Sequence, residues 1–96
     1  MFGLNIYMKI ENDKDFPELR KQFNLWRKRF PMFTHDVYAI EKIIEQHIAK
    51  YSNHLVKYRQ THSRSYLEQA QKEIDEINRV LVTVGKLELM AMLSQA

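Results

Sequence analysis

Two prolines and two glycines punctuate this chain, and over residues 32–96 there is no proline and one glycine, Gly85. Average usage, about 5% Pro and 7% Gly, would place roughly five and seven in a chain of this size. Turns at φ > 0 want glycine and sheets need many turns, so an all-β or alternating βαβ fold is disfavoured. The same scarcity lets helices run long.

The apolar residues repeat with helical spacing over most of the sequence. Leu19, Phe23, Trp26 and Phe30 recur at three and four residues, which predicts a helix over 17–30 with one narrow aromatic face. Asp15 is its expected N-cap, Pro17 and Glu18 suit its first turn, and Pro31 ends it. Val37, Ile40, Ile44, His47, Tyr51, His54 and Tyr58 mark a second helix over 35–61, with Thr34 as its cap. Leu67, Ala70, Ile74, Ile77, Leu81 and Val84 mark a third over 65–94, opened by a capping box of Ser65 and Glu68. Ahead of these, Phe2, Leu4, Ile6, Met8 and Ile10 alternate with smaller or polar residues, the period-2 pattern of an extended strand or arm over 2–10.

The second and third helices would each span about 40 Å, whereas a compact globule of this length is about 32 Å across. They therefore predict a long antiparallel α-hairpin, mainly all-α, braced at one end by the short first helix and preceded by the arm. No linker or repeat divides residues 1–96, so a single domain is expected. The connection over 31–34 folds the first helix back along the start of the second, and so beside the end of the third.

That end is apolar on nearly every side: Val80, Leu81, Val82, Val84, Leu87, Leu89, Met90, Ala91, Met92 and Leu93. A helix of this kind needs cover on several sides, and one hairpin partner and one brace do not supply it. An unpaired strand at 2–10 is likewise open to pairing. Self-association is therefore expected through Phe2, Leu4, Ile6, Met8, Val82, Leu89, Met90 and Leu93, in a homodimer or a larger protein assembly. Such a chain would suit an accessory subunit, an inhibitor or a virion component.

A second reading starts from charge. The chain carries 15 Lys and Arg against 12 Asp and Glu, a formal +3. Arg20, Lys21, Arg27, Lys28 and Arg29 crowd the first helix around its aromatic stripe. Such a face can meet phosphates by counterion release, or an acidic partner, so nucleic-acid binding is the alternative function.

Catalysis is not expected. Without cysteine there is no thiol nucleophile, disulfide or Cys-ligated zinc, and no glycine-rich phosphate loop exists. His47 and His54 stand seven apart, not the three or four at which one helix presents two metal ligands, and no His-Glu-x-x-His motif is present. They read as polar members of an apolar seam, whose protonation near pH 6 would loosen an assembly. Arg59, His62 and Ser63 meet at the hairpin tip with no third group to orient the histidine and no pocket to exclude water. No catalytic, cofactor or metal residues are therefore assigned, and no apolar run is long enough to span a membrane. An intracellular location is favoured by the lack of a signal-peptide pattern.

Overall fold

A computed structural model describes residues 8–95. The chain is helical, with α1 over Phe16–Arg29, α2 over Thr34–Thr61 and α3 over Arg64–Gln95, and no strand among the described residues. At 28 and 32 residues, α2 and α3 run about 42 and 48 Å. The molecule measures 54 × 22 × 17 Å, with a radius of gyration of 15.1 Å, against about 12–13 Å for a compact domain of this length. The expected elongated hairpin is what forms.

Its register is marked by His47 of α2 against Glu73 of α3, and Arg29 at the end of α1 pairs with Glu88 of α3 at the braced end. The seam is built from Val37, Ile40, Ile44, Ile48 and Tyr51 of α2 facing Ala70, Ile74, Ile77, Leu81 and Val84 of α3, all buried. Each set repeats at three or four residues because that spacing keeps side chains on one face of an α-helix. On α1 the aromatic stripe is extended by Phe16, and Phe16, Leu19, Phe23, Trp26 and Phe30 are all buried. Phe16 meets Tyr51 edge-on at 5.5 Å, and Phe23 meets Trp26 in the same way at 5.0 Å. Burial raises the Tyr51 phenol above its ordinary value, and the nearby Asp13 carboxylate adds to the effect.

These contacts run α1 antiparallel to α2, from the level of Tyr51 back to the connection over residues 30–33. Only the half of the hairpin below Tyr51 is therefore braced, and its other half projects as a two-helix arm. At the opposite end, the register carries the last turns of α3, from about residue 87, past the first residue of α2.

The helix starts differ in detail from the sequence expectation, and at α1 and α2 a 3₁₀ turn intervenes. Asp15 stands at the N-cap position of α1, as expected, but its side chain makes no bond to that helix. Its carboxylate accepts from the backbone N–H of Glu11 at 2.8 Å and of Asn12, while Asn12 accepts from Lys14 N at 2.9 Å. Asn12 and Asp15 thus form a capping box around a 3₁₀ turn, Asp13–Asp15, that leads straight into α1. A second 3₁₀ turn, Pro31–Phe33, precedes α2, so Thr34 lies within the helix and its hydroxyl donates to Pro31 O at 2.9 Å. Ser65 is already the second residue of α3. Its hydroxyl accepts from Gln69 at 3.2 Å, so the expected box with Glu68 gives way to a side-chain pair one turn apart.

The hairpin turns within two residues without glycine. His62 takes the left-handed conformation, φ 56°, and its N–H closes α2 on Tyr58 O at 2.6 Å. A residue with a Cβ pays roughly 1 kcal/mol for this conformation. The His62 ring offsets part of that by standing edge-on to Tyr58 at 6.1 Å. His62→Gly is expected to raise unfolding stability by about 0.5 kcal/mol, reduced from the full value by glycine's greater freedom in the unfolded chain. Chemical denaturation checks it, and a loss of stability would show that the Tyr58 contact outweighs the backbone cost.

The alternation over 2–10 lies outside the described residues as far as residue 7. Met8, Lys9 and Ile10 are in no strand. Ile10 is fully buried, and its backbone is held by one side chain: its N–H donates to Asn78 Oδ1 at 2.7 Å, and Asn78 Nδ2 donates to its carbonyl at 2.8 Å. A primary amide presents one donor and one acceptor side by side, as a neighbouring strand would. The arm thus finds its hydrogen-bond partner on α3.

Candidate interaction surface

The C-terminal third of α3 has two apolar sides. Leu81, Val84, Leu87 and Ala91 are buried in the core. Val82, Leu89 and Leu93 are 52%, 56% and 68% exposed, and Met90 and Met92 are also exposed. At about 100° per residue, Asn78, Val82, Leu89 and Leu93 fall within about 60° of one another, in a row along one flank. Buried Gly85 lies at the edge of that row, where the absence of a Cβ lets a neighbour approach the helix backbone closely. Scattered exposed leucines need no explanation; Val82, Leu89 and Leu93 are aligned, and Leu89 and Leu93 lie on the part of α3 that overhangs α2.

Of the residues expected to carry association, Val82, Leu89, Met90 and Leu93 share this end of α3. Met8 is half-buried against the core. Phe2, Leu4 and Ile6 lie outside the described residues. Met92 belongs to the same end and was readable from the same apolar run. Elsewhere Leu25, Met32, Tyr38 and Ile43 are exposed on α1, its connection and α2, in no comparable row on one helix.

The basic face of α1 is largely engaged within the chain. Arg20 makes a two-pronged pair with Glu45, 2.9 Å on each arm. Arg27 pairs with Glu41, bonds Asn24 and lies over the Tyr38 ring, 4.9 Å from its centroid. Arg29 Nη2 stands 2.8 Å from Glu88 Oε1, off the direction a hydrogen bond requires, so that buried oxygen is charge-paired without being hydrogen-bonded. Lys21 and Lys28 are exposed. Glu88 is the unexpected member: a carboxylate 5% exposed within an apolar helix end. Its position between Leu87 and Leu89 gave the signal, an acid where the helix has no polar face to put it on.

The hydrogen bonds from Arg20 hold the Glu45 carboxyl below its usual range, against a smaller opposing effect of burial. A carboxyl whose folded pKa is depressed contributes stability above its unfolded pKa, about 4.3, and loses it as pH falls through the folded value. Both side chains are more than one-third exposed, so solvent limits the pair to at most about 1 kcal/mol. Arg20→Ala is expected to cost that much at pH 7 and almost nothing at pH 3. Denaturation at the two pH values checks it; equal losses would assign the effect to packing by the arginine stem.

His47 and His54 face a single carboxylate across the seam. His47 Nδ1 is 2.6 Å from Glu73 Oε1, and His54 Nε2 is 3.6 Å from Glu73 Oε2. All three side chains are about four-fifths buried, and His54 Nδ1 is buried with no hydrogen-bond partner. One carboxylate of α3 thus stands against both rings of α2. Among the described residues, no group of three or more His, Asp or Glu is placed to hold a metal ion. No helix there is long and apolar enough to cross a membrane.

No family model, curated protein or solved structure matches this chain. The functional reading therefore stands on the molecule's own chemistry.

Proposed function

We propose that this is a small helical interaction protein that acts without catalysis, by associating with a second copy of itself through the overhanging end of α3. The observation that carries the reading is the exposed row Val82, Leu89 and Leu93 on a helix whose opposite side is already buried. Fully burying an exposed side chain of this kind is worth about 1.5–3 kcal/mol; these three are a little over half exposed, so each adds roughly half of that or slightly more, and symmetry applies the gain twice in a dimer. Such a unit would serve as an accessory, inhibitory or structural subunit of an assembly.

The alternative, a nucleic-acid-binding protein, would draw on Arg20, Lys21, Arg27, Lys28 and Arg29. Three of these already face carboxylates of the same chain, which favours the association reading. Light scattering after size exclusion tests it. The expected mass is about twice 11.6 kDa, unchanged between 50 and 200 mM salt, since apolar contacts are not screened. Leu89→Glu with Leu93→Glu should give a monomer of unaltered helical circular dichroism. A monomeric wild-type chain would overturn the reading, and nucleic acid co-eluting at low salt and lost by 200 mM would support the alternative.

A further inference from the structure

We propose that the outer face of α2 is a binding surface for the phosphate backbone of a nucleic acid, held without regard to base sequence. Lys42, Gln46, Lys50, Asn53, Lys57 and Gln60 follow one another at three or four residues. At about 100° per residue, all six fall within about 80° of one another, in a stripe about 27 Å long. All six are exposed. The stripe points about 165° away from the seam of Val37, Ile40, Ile44, Ile48 and Tyr51. It also points about 115° away from Glu41 and Glu45, which turn toward α1 and meet its Arg27 and Arg20. The stripe therefore looks away from both helices that pack on α2. It is separate from the exposed end of α3, so the proposal goes beyond the association reading and holds for a monomer or a dimer.

Every side chain of the stripe is a hydrogen-bond donor and none is an acid. From residue 46 to residue 67 the chain contains no Asp or Glu. A solvated helix face ordinarily mixes both signs, and the outer side of α3 does so, with exposed Arg64, Glu68, Lys72, Asp75 and Arg79 at the same spacing. Among the described residues, none of the three stripe lysines is in an ion pair, whereas Arg20, Arg27 and Arg29 of α1 all face carboxylates. Lys57 lies 5.9 Å from the centroid of the Tyr66 ring, a contact that leaves its charge uncompensated. Phosphate oxygens only accept hydrogen bonds, and proteins hold them with this mixture of lysine and side-chain amides. A protein partner or a membrane would want apolar anchors. The exposed large apolar residues of this length of α2, Ile43 and Val56, stand at opposite edges of the stripe, thirteen residues apart. No aromatic ring lies in the stripe to stack on a base, which leaves the backbone as the contact.

Fluorescence anisotropy of the full chain with labelled duplex DNA, single-stranded DNA and duplex RNA tests the proposal, and the three probes distinguish the source of the backbone. Three phosphates neutralised on duplex DNA give a slope of about −2.7 for log affinity against log salt, so binding is expected to weaken about fortyfold between 50 and 200 mM salt. Shuffled sequences should bind equally. Lys42→Gln with Lys50→Gln and Lys57→Gln places a good helix former at exposed positions. This α2 variant should keep its circular dichroism and lose about tenfold or more in affinity at 50 mM salt, while arginine at the same three positions should keep the binding. Lys21→Gln with Lys28→Gln is the control for the basic face of α1 and should bind as the unaltered chain does. A tenfold loss in that control, or none in the α2 variant, places the nucleic acid elsewhere on the molecule. Preference for polyglutamate or for phosphatidylserine vesicles over all three nucleic acids makes the partner an acidic protein or a membrane. Absence of binding to every probe at 50 mM salt leaves the stripe a solvated face. Each of these results overturns the proposal.

Discussion

Trp26→Ala is expected to cost about 3–5 kcal/mol, the range for deleting a large aromatic from a packed core. Trp26 is the largest fully buried side chain of the molecule and lies in the stripe through which α1 grips the hairpin. A domain of this size has a total stability of roughly 5–15 kcal/mol, so the substitution removes a substantial share. The loss comes from two sources: the apolar area of the ring, and a cavity that Phe23, edge-on at 5.0 Å, cannot fill without abandoning its own contact. Urea denaturation followed by circular dichroism gives the midpoint, and Trp26→Phe is the control, expected to lose less than half as much. A cost below about 1 kcal/mol for alanine would mean that α1 is not part of the cooperative core.

Asn78→Ala should be the most damaging change of a single polar residue, at about 2–4 kcal/mol. It deletes two hydrogen bonds at once and leaves the N–H and C=O of Ile10 without partners in a part-buried site, at about 1–3 kcal/mol for each group stranded. The upper end is reached only if Ile10 stays buried. If the arm detaches instead, water satisfies both groups and the loss becomes that of the buried isoleucine, about 2–3 kcal/mol. Hydrogen exchange separates the two routes, because detachment removes the protection of the Ile10 amide while the α2 and α3 amides keep theirs. Asn78→Asp retains the acceptor for Ile10 N–H and turns the donor into a second acceptor facing the carbonyl, so it should cost nearly as much. A loss below 0.5 kcal/mol for either substitution would count against the clamp.

The helices and their pairing were readable because the physics that sets them is periodic. Leu19, Phe23 and Trp26, or Ile74, Ile77 and Leu81, announce a face without reference to any other part of the chain. The brace was readable for a similar reason, since the connection after Phe30 is too short to let α1 go elsewhere. The ion pairs were half legible: Arg20 and Arg27 stand seven apart on α1, Glu41 and Glu45 four apart on α2, and antiparallel packing matches them crosswise. Asn78 was not legible at all, because an asparagine inside a helix carries no mark of the backbone it will serve sixty-eight residues away. Helix caps were misplaced at Thr34 and Ser65, and at Asp15 the position was right but the side chain serves the preceding turn, because serine, threonine and aspartate suit a tight turn as well as a helix start. The exposed row on α3 followed from apolar excess alone.

The two-residue turn at His62 and Ser63 has a kinetic consequence. Pairing there closes a very short loop, so α2 and α3 can zip from the tip at little entropic cost, each turn bringing the next within reach. Among the described residues, hydrogen bonds and ion pairs at the other end close the longest loops, Ile10 on Asn78 and Arg29 on Glu88. They are the last to gain from a hairpin already formed and the first to be released when the molecule breathes. The end of α3 that carries the exposed apolar row is thus also the last part of the hairpin to be tied in, and a second chain that meets it does not have to wait for the hairpin to unfold.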